Sequence, residues 1–387
     1  MTDLWIFSTS LSFPLERGLK YNRQMQKIFL LVIILLGIGF VFIQYINRQT
    51  EAHPIKDTQE STQKEITPTQ PKSLYAGTRI TQSVFVPYWN IRNMSALSKY
   101  DSVIYFGISV NEDGVNKEEQ GFANIQSFIN TNSVSTNYLT VRMLNTETNL
   151  KILEDKQAQQ KVIADVISVT KEYGFDGVVL DLELSVIPFT DVKDNISMLM
   201  ASFSEELQKE DLYFAVTLYG DTYYRSRPYD VKKIGNYADE VLIMAYDFHK
   251  SRGEPGPNFP FSGQKKYGYD FQQMIIDFSH DVSVKKLTVI FGKFGYDWTL
   301  GSQGMPLTGA TAFTSAEAED GFVSNCSYNK CTVSRDSESK EMKGSYVDKE
   351  GYKHAIWFED EESVKVKTEY LKEQGIGSIS YWTWGYW

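Results

Sequence analysis

The sequence predicts a (β/α)8 barrel with a small antiparallel insertion between its seventh and eighth strands, the whole preceded by a transmembrane helix. Three observations lead there. Eight short, apolar, β-rich runs follow one another after Ile80: "SVFVPYW", "SVIYFGI", "YLTVRML", "GVVLDLE", "LYFAVTL", "EVLIMAY", "LTVIFGK" and "IGSISYW". Longer stretches with apolar residues three and four apart separate several of them, and this strand-helix alternation argues for a parallel sheet. Eight units within the 387-residue chain suit a closed barrel, with an open doubly wound sheet as the competing arrangement.

Residues 1–27 read as a cytoplasmic segment. From Ile28 to Ile46 no residue is charged and only Gln44 is strongly polar, which suits a helix crossing a hydrocarbon layer. "FVFIQYINRQ" offers no small-residue cleavage site, so the span reads as an uncleaved anchor rather than a secretory signal. Arg17, Lys20, Arg23 and Lys27 precede it and only Arg48 closely follows; that bias puts the N-terminus in the cytoplasm and the bulk of a single-pass protein outside. Residues 47–79 are rich in Thr, Gln, Lys, Glu and Pro, too polar to fold alone, and read as a disordered tether. Residues 80–387 form the barrel domain. Within it "DKQAQQKVIADVISVTKEYG" has helical spacing and ends at Gly174, a C-terminal cap. Residues from about 298 to 355 are polar and Gly-rich and read as the insertion, with a Cys326–Cys331 bridge, where it forms, at a hairpin tip.

Composition narrows the function. A net charge of -10 implies no broad basic surface and excludes nucleic acid as a partner. The four histidines are scattered and share no ligand spacing with the two cysteines, so no metal site is expected. Aromatic residues make up 14% of the chain, which fits either rings exposed for stacking on sugars or a Tyr-rich core.

The chemistry concentrates in "FDGVVLDLEL", residues 175–184. A strand buried on both faces should be a continuous apolar run, yet this one carries Asp176, Asp181 and Glu183. Side chains alternate along a strand, so 179, 181 and 183 share the barrel-interior face. Glu183 then sits at the C-terminal end, where barrel enzymes keep their chemistry, with Asp181 one layer below. Two carboxylates that close do not both ionise near neutral pH, and the one that keeps a proton is suited to general acid work. The competing reading pairs them with Arg142 or Lys293 from other strands.

"FDGVVLDLE" resembles the D-x-x-D-x-D-x-E signature on the fourth strand of glycoside hydrolase family 18, the chitinases and related N-acetylglucosaminidases. "IMAYDFH" is similar to the family's sixth-strand M-x-Y-D, "FGKFGYDW" to its seventh-strand segment, and "HAIWFEDEESVKVKTEYLKEQGIGSISYWTWG" to the closing segment of its spore-cortex and cell-wall branch. The resemblance covers roughly Val84 to the C-terminus. It implies substrate-assisted retaining hydrolysis of β-linked N-acetylglucosamine polysaccharide without a cofactor, the sugar's own acetamido oxygen being the nucleophile. Glu183 would be the general acid/base, Asp181 would hold the acetamido N–H, and the Tyr246 hydroxyl would hold the acetamido carbonyl. Asp176, Met244, Asp247, Trp382, Tyr88 and Tyr296 would contact substrate, Trp382 as a stacking floor and Trp89 beside Tyr88.

Two departures matter. The third-strand S-x-G-G of typical chitinases is replaced by "LTVRMLN", and Val179 stands where the family has its middle Asp. Without that carboxylate Asp181 lies in a drier neighbourhood, and the alternative expectation is a sugar-binding protein without turnover. A membrane-tethered adhesion module is a third reading.

Overall fold

The computed structural model describes residues 79–186 and 189–387. The cytoplasmic segment, the anchor Ile28 to Ile46 and the tether up to residue 78 lie outside them. Among the described residues no helix is long and apolar enough to cross a membrane.

All eight apolar runs are parallel strands: Thr81–Pro87, Ser102–Asn111, Asn137–Met143, Gly177–Leu182, Tyr213–Tyr219, Glu240–Ala245, Leu287–Gly292 and Ser378–Trp382. Each pairs with the next, and the first pairs with both the second and the eighth. That closure removes both sheet edges and excludes the open doubly wound alternative. Every residue of the fourth strand is buried, because its outer face packs under helices while its inner face looks into the barrel.

Helix Lys156–Tyr173 shows how the outer layer forms. Its Val162, Ile163, Val166 and Val169 are buried on one stripe, the spacing of an amphipathic helix. Asp155 caps its start by accepting from the N–H groups of Gln157 and Ala158, and Gly174 ends it in the left-handed region at φ 71°, a conformation that costs glycine little.

The insertion is a five-stranded antiparallel sheet ordered Thr311–Thr314, Phe294–Leu300, Lys353–Phe358, Met342–Val347, Asn329–Arg335. It begins at Phe294 and ends at Phe358, so the expected bounds of 298 and 355 were too narrow at each end. The reason lies at Lys293. Its N–H donates to the carbonyl of Trp382 (2.8 Å), completing the barrel ladder, and the chain leaves the barrel at the next residue. Cys326 and Cys331 are bridged, but not at a hairpin tip as expected. Cys331 lies in the edge strand Asn329–Arg335, while the turn that follows is built by Asp336 accepting from the N–H of Ser339 (2.9 Å).

One buried ionic cluster joins insertion, last helix and barrel. Lys367, on helix Glu361–Glu373, donates to Glu341 (2.9 Å) and Glu359 (2.6 Å), and all three side chains are fully buried. Glu341 also accepts from the backbone N–H groups of Asn258 (2.6 Å) and Phe259 (2.8 Å), in the loop after the sixth strand. Burial raises the Glu341 carboxyl, and burial that would lower the Lys367 ammonium is outweighed by the two carboxylates, which raise it. Removing one member leaves the others buried and uncompensated. Lys367→Met should therefore cost roughly 3–5 kcal/mol, a fall in Tm of roughly 6–15 °C by calorimetry. Lys372→Met, which loses only the exposed pair with Glu369, should move stability by less than about 1 kcal/mol.

Candidate active site

Glu183 follows the last residue of the fourth strand and is half-buried at the C-terminal mouth of the barrel. Its carboxylate accepts from the Tyr219 hydroxyl at 2.6 Å. The strand end beneath it is clamped by Tyr229, whose hydroxyl donates to the Leu182 carbonyl (2.8 Å) and accepts from the Leu184 N–H (3.2 Å). Asn149 adds a bond to the Glu183 carbonyl (3.0 Å). The acid is thus held from both sides, which preorganises it.

Asp181 lies one layer lower and is buried, accepting from the Thr217 hydroxyl. Burial is the main reason its carboxyl is pushed up to about 7; the neighbouring Glu183 charge adds, and the Thr217 bond and Arg142 oppose. Tyr246 is raised well above the ordinary phenol range, first by burial and then by the charges of Asp181 and Glu183. It therefore stays a donor. Its ring fits because the seventh strand ends in Gly292, where a Cβ would stand 2.8 Å from that of Tyr246.

Asp181, Glu183, Met244, Tyr246, Asp247, Tyr296 and Trp382 line one cavity of about 450 Å³. Trp382 forms its floor between Phe85 (5.7 Å), Phe106 (4.7 Å) and Tyr246 (6.5 Å, ring centroids). It is fixed at the chain end, where the Thr383 hydroxyl and the Trp384 N–H both reach the Phe85 carbonyl. Asp247 has φ 57°, a left-handed conformation that Asp tolerates better than bulkier residues. It accepts from the Tyr296 hydroxyl at 2.7 Å, and burial raises its carboxyl against that bond.

Two expected site residues lie elsewhere. Asp176 precedes the fourth strand, at the opposite end of the barrel from Glu183 and roughly 20 Å from it along the strand. Its carboxylate accepts from the Asn137 N–H at 2.6 Å, a bond that joins two strand starts. Tyr88 does not line the cavity, whereas its neighbour Trp89 does; the Arg142 guanidinium covers the Tyr88 ring at 4.9 Å. Neither cation proposed to neutralise the acids is bonded to them. Arg142 pairs with Glu119 (2.5 Å) and Lys293 lies 5.9 Å from the Trp387 ring.

Several contributors went unnoticed in the sequence. Thr217 and Tyr219 share the interior face of "YFAVTLY", legible from alternation once that run is placed as the fifth strand. Phe313, Thr314 and Glu317 wall the cavity from the insertion, and Tyr386 from the chain end. Nothing in their local spacing places them there. Among the described residues no cluster of His, Cys, Asp and Glu is arranged to hold a metal.

The chain is similar to several known proteins. It is 28% identical over 247 residues to the uncharacterized glycosylase YvbX of Bacillus subtilis, covering 61% of this chain and 64% of that one. It is 26% identical over 299 residues to the cortical fragment-lytic enzyme of Bacillus anthracis, covering 73% and 64%. The chain thus spans just under two thirds of the length of these relatives. The class V chitinase of Nicotiana tobaccum has the same fold, with a TM-score of 0.68 at 15% identity over 79% of this chain and 94% of that one. The sequence profile of Glycosyl hydrolases family 18 matches residues 75–386. That span takes in all eight barrel strands and the insertion, and the chain is accordingly a member of Glycosyl hydrolases family 18.

Proposed function

We propose that this protein is a membrane-tethered glycoside hydrolase that cleaves β-linked N-acetylglucosamine glycans by substrate-assisted retention. The observation that carries the reading is the pairing of Glu183, half-buried at the cavity mouth and hydrogen-bonded by Tyr219, with Asp181, buried directly beneath it. One carboxylate meets the glycosidic oxygen while the other is kept in the barrel.

In this mechanism the substrate's acetamido oxygen attacks the anomeric carbon as Glu183 protonates the departing glycosidic oxygen. Asp181, as the carboxylate, accepts the acetamido N–H and offsets the positive charge that develops on the cyclised group. Tyr246, firmly protonated, donates to the acetamido oxygen and holds it in line. Glu183 then takes a proton from water as it opens the intermediate. Trp382 supplies a flat apolar face for the sugar, and Asp247, fixed by Tyr296, accepts from sugar hydroxyls.

Cell-wall peptidoglycan is the preferred substrate over chitin, supported by the similarity to a protein named for lysis of cortical fragments. The uncharged span Ile28 to Ile46 with its basic leading flank supports an anchor with the barrel outside. A second reading, a glycan-binding protein without turnover, rests on Val179. It is buried in an apolar layer with Phe85, Ile104, Ala215, Leu242 and Ile290, where the family signature has a carboxylate.

Glu183→Gln should lower the release of new reducing ends from peptidoglycan or chito-oligosaccharides at least about 100-fold while glycan binding persists; binding without turnover by the parent would instead establish the second reading. After membrane fractionation the full chain should resist alkaline extraction, and a version lacking residues 1–46 should be released. Asp181 also predicts a pH dependence of stability. A carboxyl whose folded value is raised binds its proton more tightly in the native state, so stability is lost as pH rises from the ordinary value of 3.8 to about 7. Asp181→Asn removes that loss. Its unfolding free energy relative to the parent's should rise between about pH 4 and pH 7, by up to about 1.4 kcal/mol per pH unit; a constant difference would mean that Asp181 holds no proton there.

A further inference from the structure

Next to the catalytic cavity, on the same face of the barrel, lies a second groove of about 770 Å³ lined by Arg225, Arg227, Lys250 and Arg252. Its wall includes Leu184, the residue after Glu183, and Phe248, the residue after Asp247. Such a concentration of cations is unexpected in a chain of net charge -10.

Part of the cluster is built into the fold. Asp221, buried below, accepts from both Arg225 and Arg227. Ser226 between them has φ 49°, so the backbone takes a left-handed step that only the surrounding structure holds. Arg225 also donates to the Phe248 carbonyl at 2.7 Å. Arg227 stacks its guanidinium 3.9 Å from the Tyr219 ring, the same ring whose hydroxyl donates to Glu183. Lys250 approaches that ring from its own side at 5.6 Å.

The remaining charges are not balanced. Asp221 and Glu254 are the carboxylates of the cluster, against four cations. Asp247 lies close enough for Lys250 to lower it, but it is engaged by Tyr296. Lys250 and Arg252 are exposed and form no ion pair among the described residues. They belong to a tight turn in which the Gly253 N–H donates to the Lys250 carbonyl (2.8 Å), and the turn is fastened to the insertion by the Ala310 N–H donating to the Ser251 carbonyl (2.7 Å). A pinned turn that carries unpaired cations beside a saccharide cleft is a place for an anion. A neutral polysaccharide would leave these charges without a partner.

We propose that this groove is an anion subsite, and that the glycan drawn into the cleft carries carboxylates on its sugars or on peptides linked to them. The inference rests on the glycosidase reading in taking the Glu183 cavity as the place where the sugar chain lies. Planar guanidinium groups suit a carboxylate, and Asp221 already fills that role from below for Arg225 and Arg227. Through Arg227, Tyr219 and Glu183 the occupied groove would stand one ring away from the acid.

The test compares three probes on the full chain in detergent: a neutral β-1,4 N-acetylglucosamine hexamer, peptidoglycan glycan strands with free carboxylates, and the same strands after carbodiimide amidation. Binding is measured calorimetrically on Glu183→Gln and hydrolysis on the parent. Free-carboxylate strands should bind at least about tenfold more tightly than amidated ones, a difference of about 1.4 kcal/mol. Salt should narrow the gap, and so should the double variant Lys250→Ala, Arg252→Ala, while the distant Lys372→Ala should leave it intact. If free and amidated strands are bound and cleaved alike, or if the double variant keeps the gap, the anion subsite is overturned and the glycosidase reading stands. Charge-selective binding without cleavage of any probe supports the subsite and overturns turnover. Failure of every probe to bind overturns both.

Discussion

Lys367 and the two buried glutamates around it are the interaction on which the site depends. Burying one cation with two carboxylates is costly, and such clusters survive where every charge has partners and the geometry is fixed. Here Glu341 comes from the insertion, Lys367 from the last helix, and the backbone of Asn258 and Phe259 from the loop after the sixth strand. The effect carries inward through Asn258, whose side chain accepts from the Asp247 N–H at 2.8 Å and donates to the carbonyls of Gly292 and Phe294. The left-handed backbone of Asp247 is thus linked through Asn258 and Glu341 to Lys367. The last helix holds the cavity wall without touching the cavity.

Inside the barrel the chemistry follows a gradient of polarity. The middle layer of Phe85, Ile104, Val179, Ala215, Leu242 and Ile290 is apolar, and burial just above it pushes the Asp181 carboxyl up. Asp181 and Glu183 are two residues apart on one strand and differ by one layer of depth. That difference separates a fully buried carboxyl from one that reaches the cavity mouth. Val179 sharpens the gradient. Thr140, opposite it in register on the third strand, has a buried hydroxyl with no partner, the kind of group that a carboxylate at 179 would accept from.

Much of this was legible in the amino-acid sequence because it rests on local periodicity. Eight β-rich runs and their intervening helices follow from patterns of two and of three to four, and the interior position of Asp181 and Glu183 follows from alternation on a single strand. Asp176 was misplaced because its motif matches by sequence, while position along the strand decides which end of the barrel a residue reaches. Tyr88 and Trp89 were separable only by which ring Arg142 covers, and that is a tertiary contact. Phe313, Thr314 and Glu317 had no signal at all. They reach the cavity because Thr311–Thr314 pairs back onto Phe294–Leu300, after which Glu317 closes a capping box with Thr314, and no local pattern states where a sheet will lie.

The division between what was legible and what was not follows the division of labour in the site. Asp181 stands on a barrel strand and Glu183 and Tyr246 directly after the ends of theirs, where geometry varies little because closure constrains tilt and register together. The surfaces that meet the rest of a glycan stand on the insertion and on the loops after the fifth and sixth strands, which closure does not constrain. Arg227 spans the two regimes: it lies in a loop, yet its guanidinium rests on Tyr219, a strand residue bonded to Glu183. The loop charge of Arg227 thus stands one aromatic ring away from Glu183.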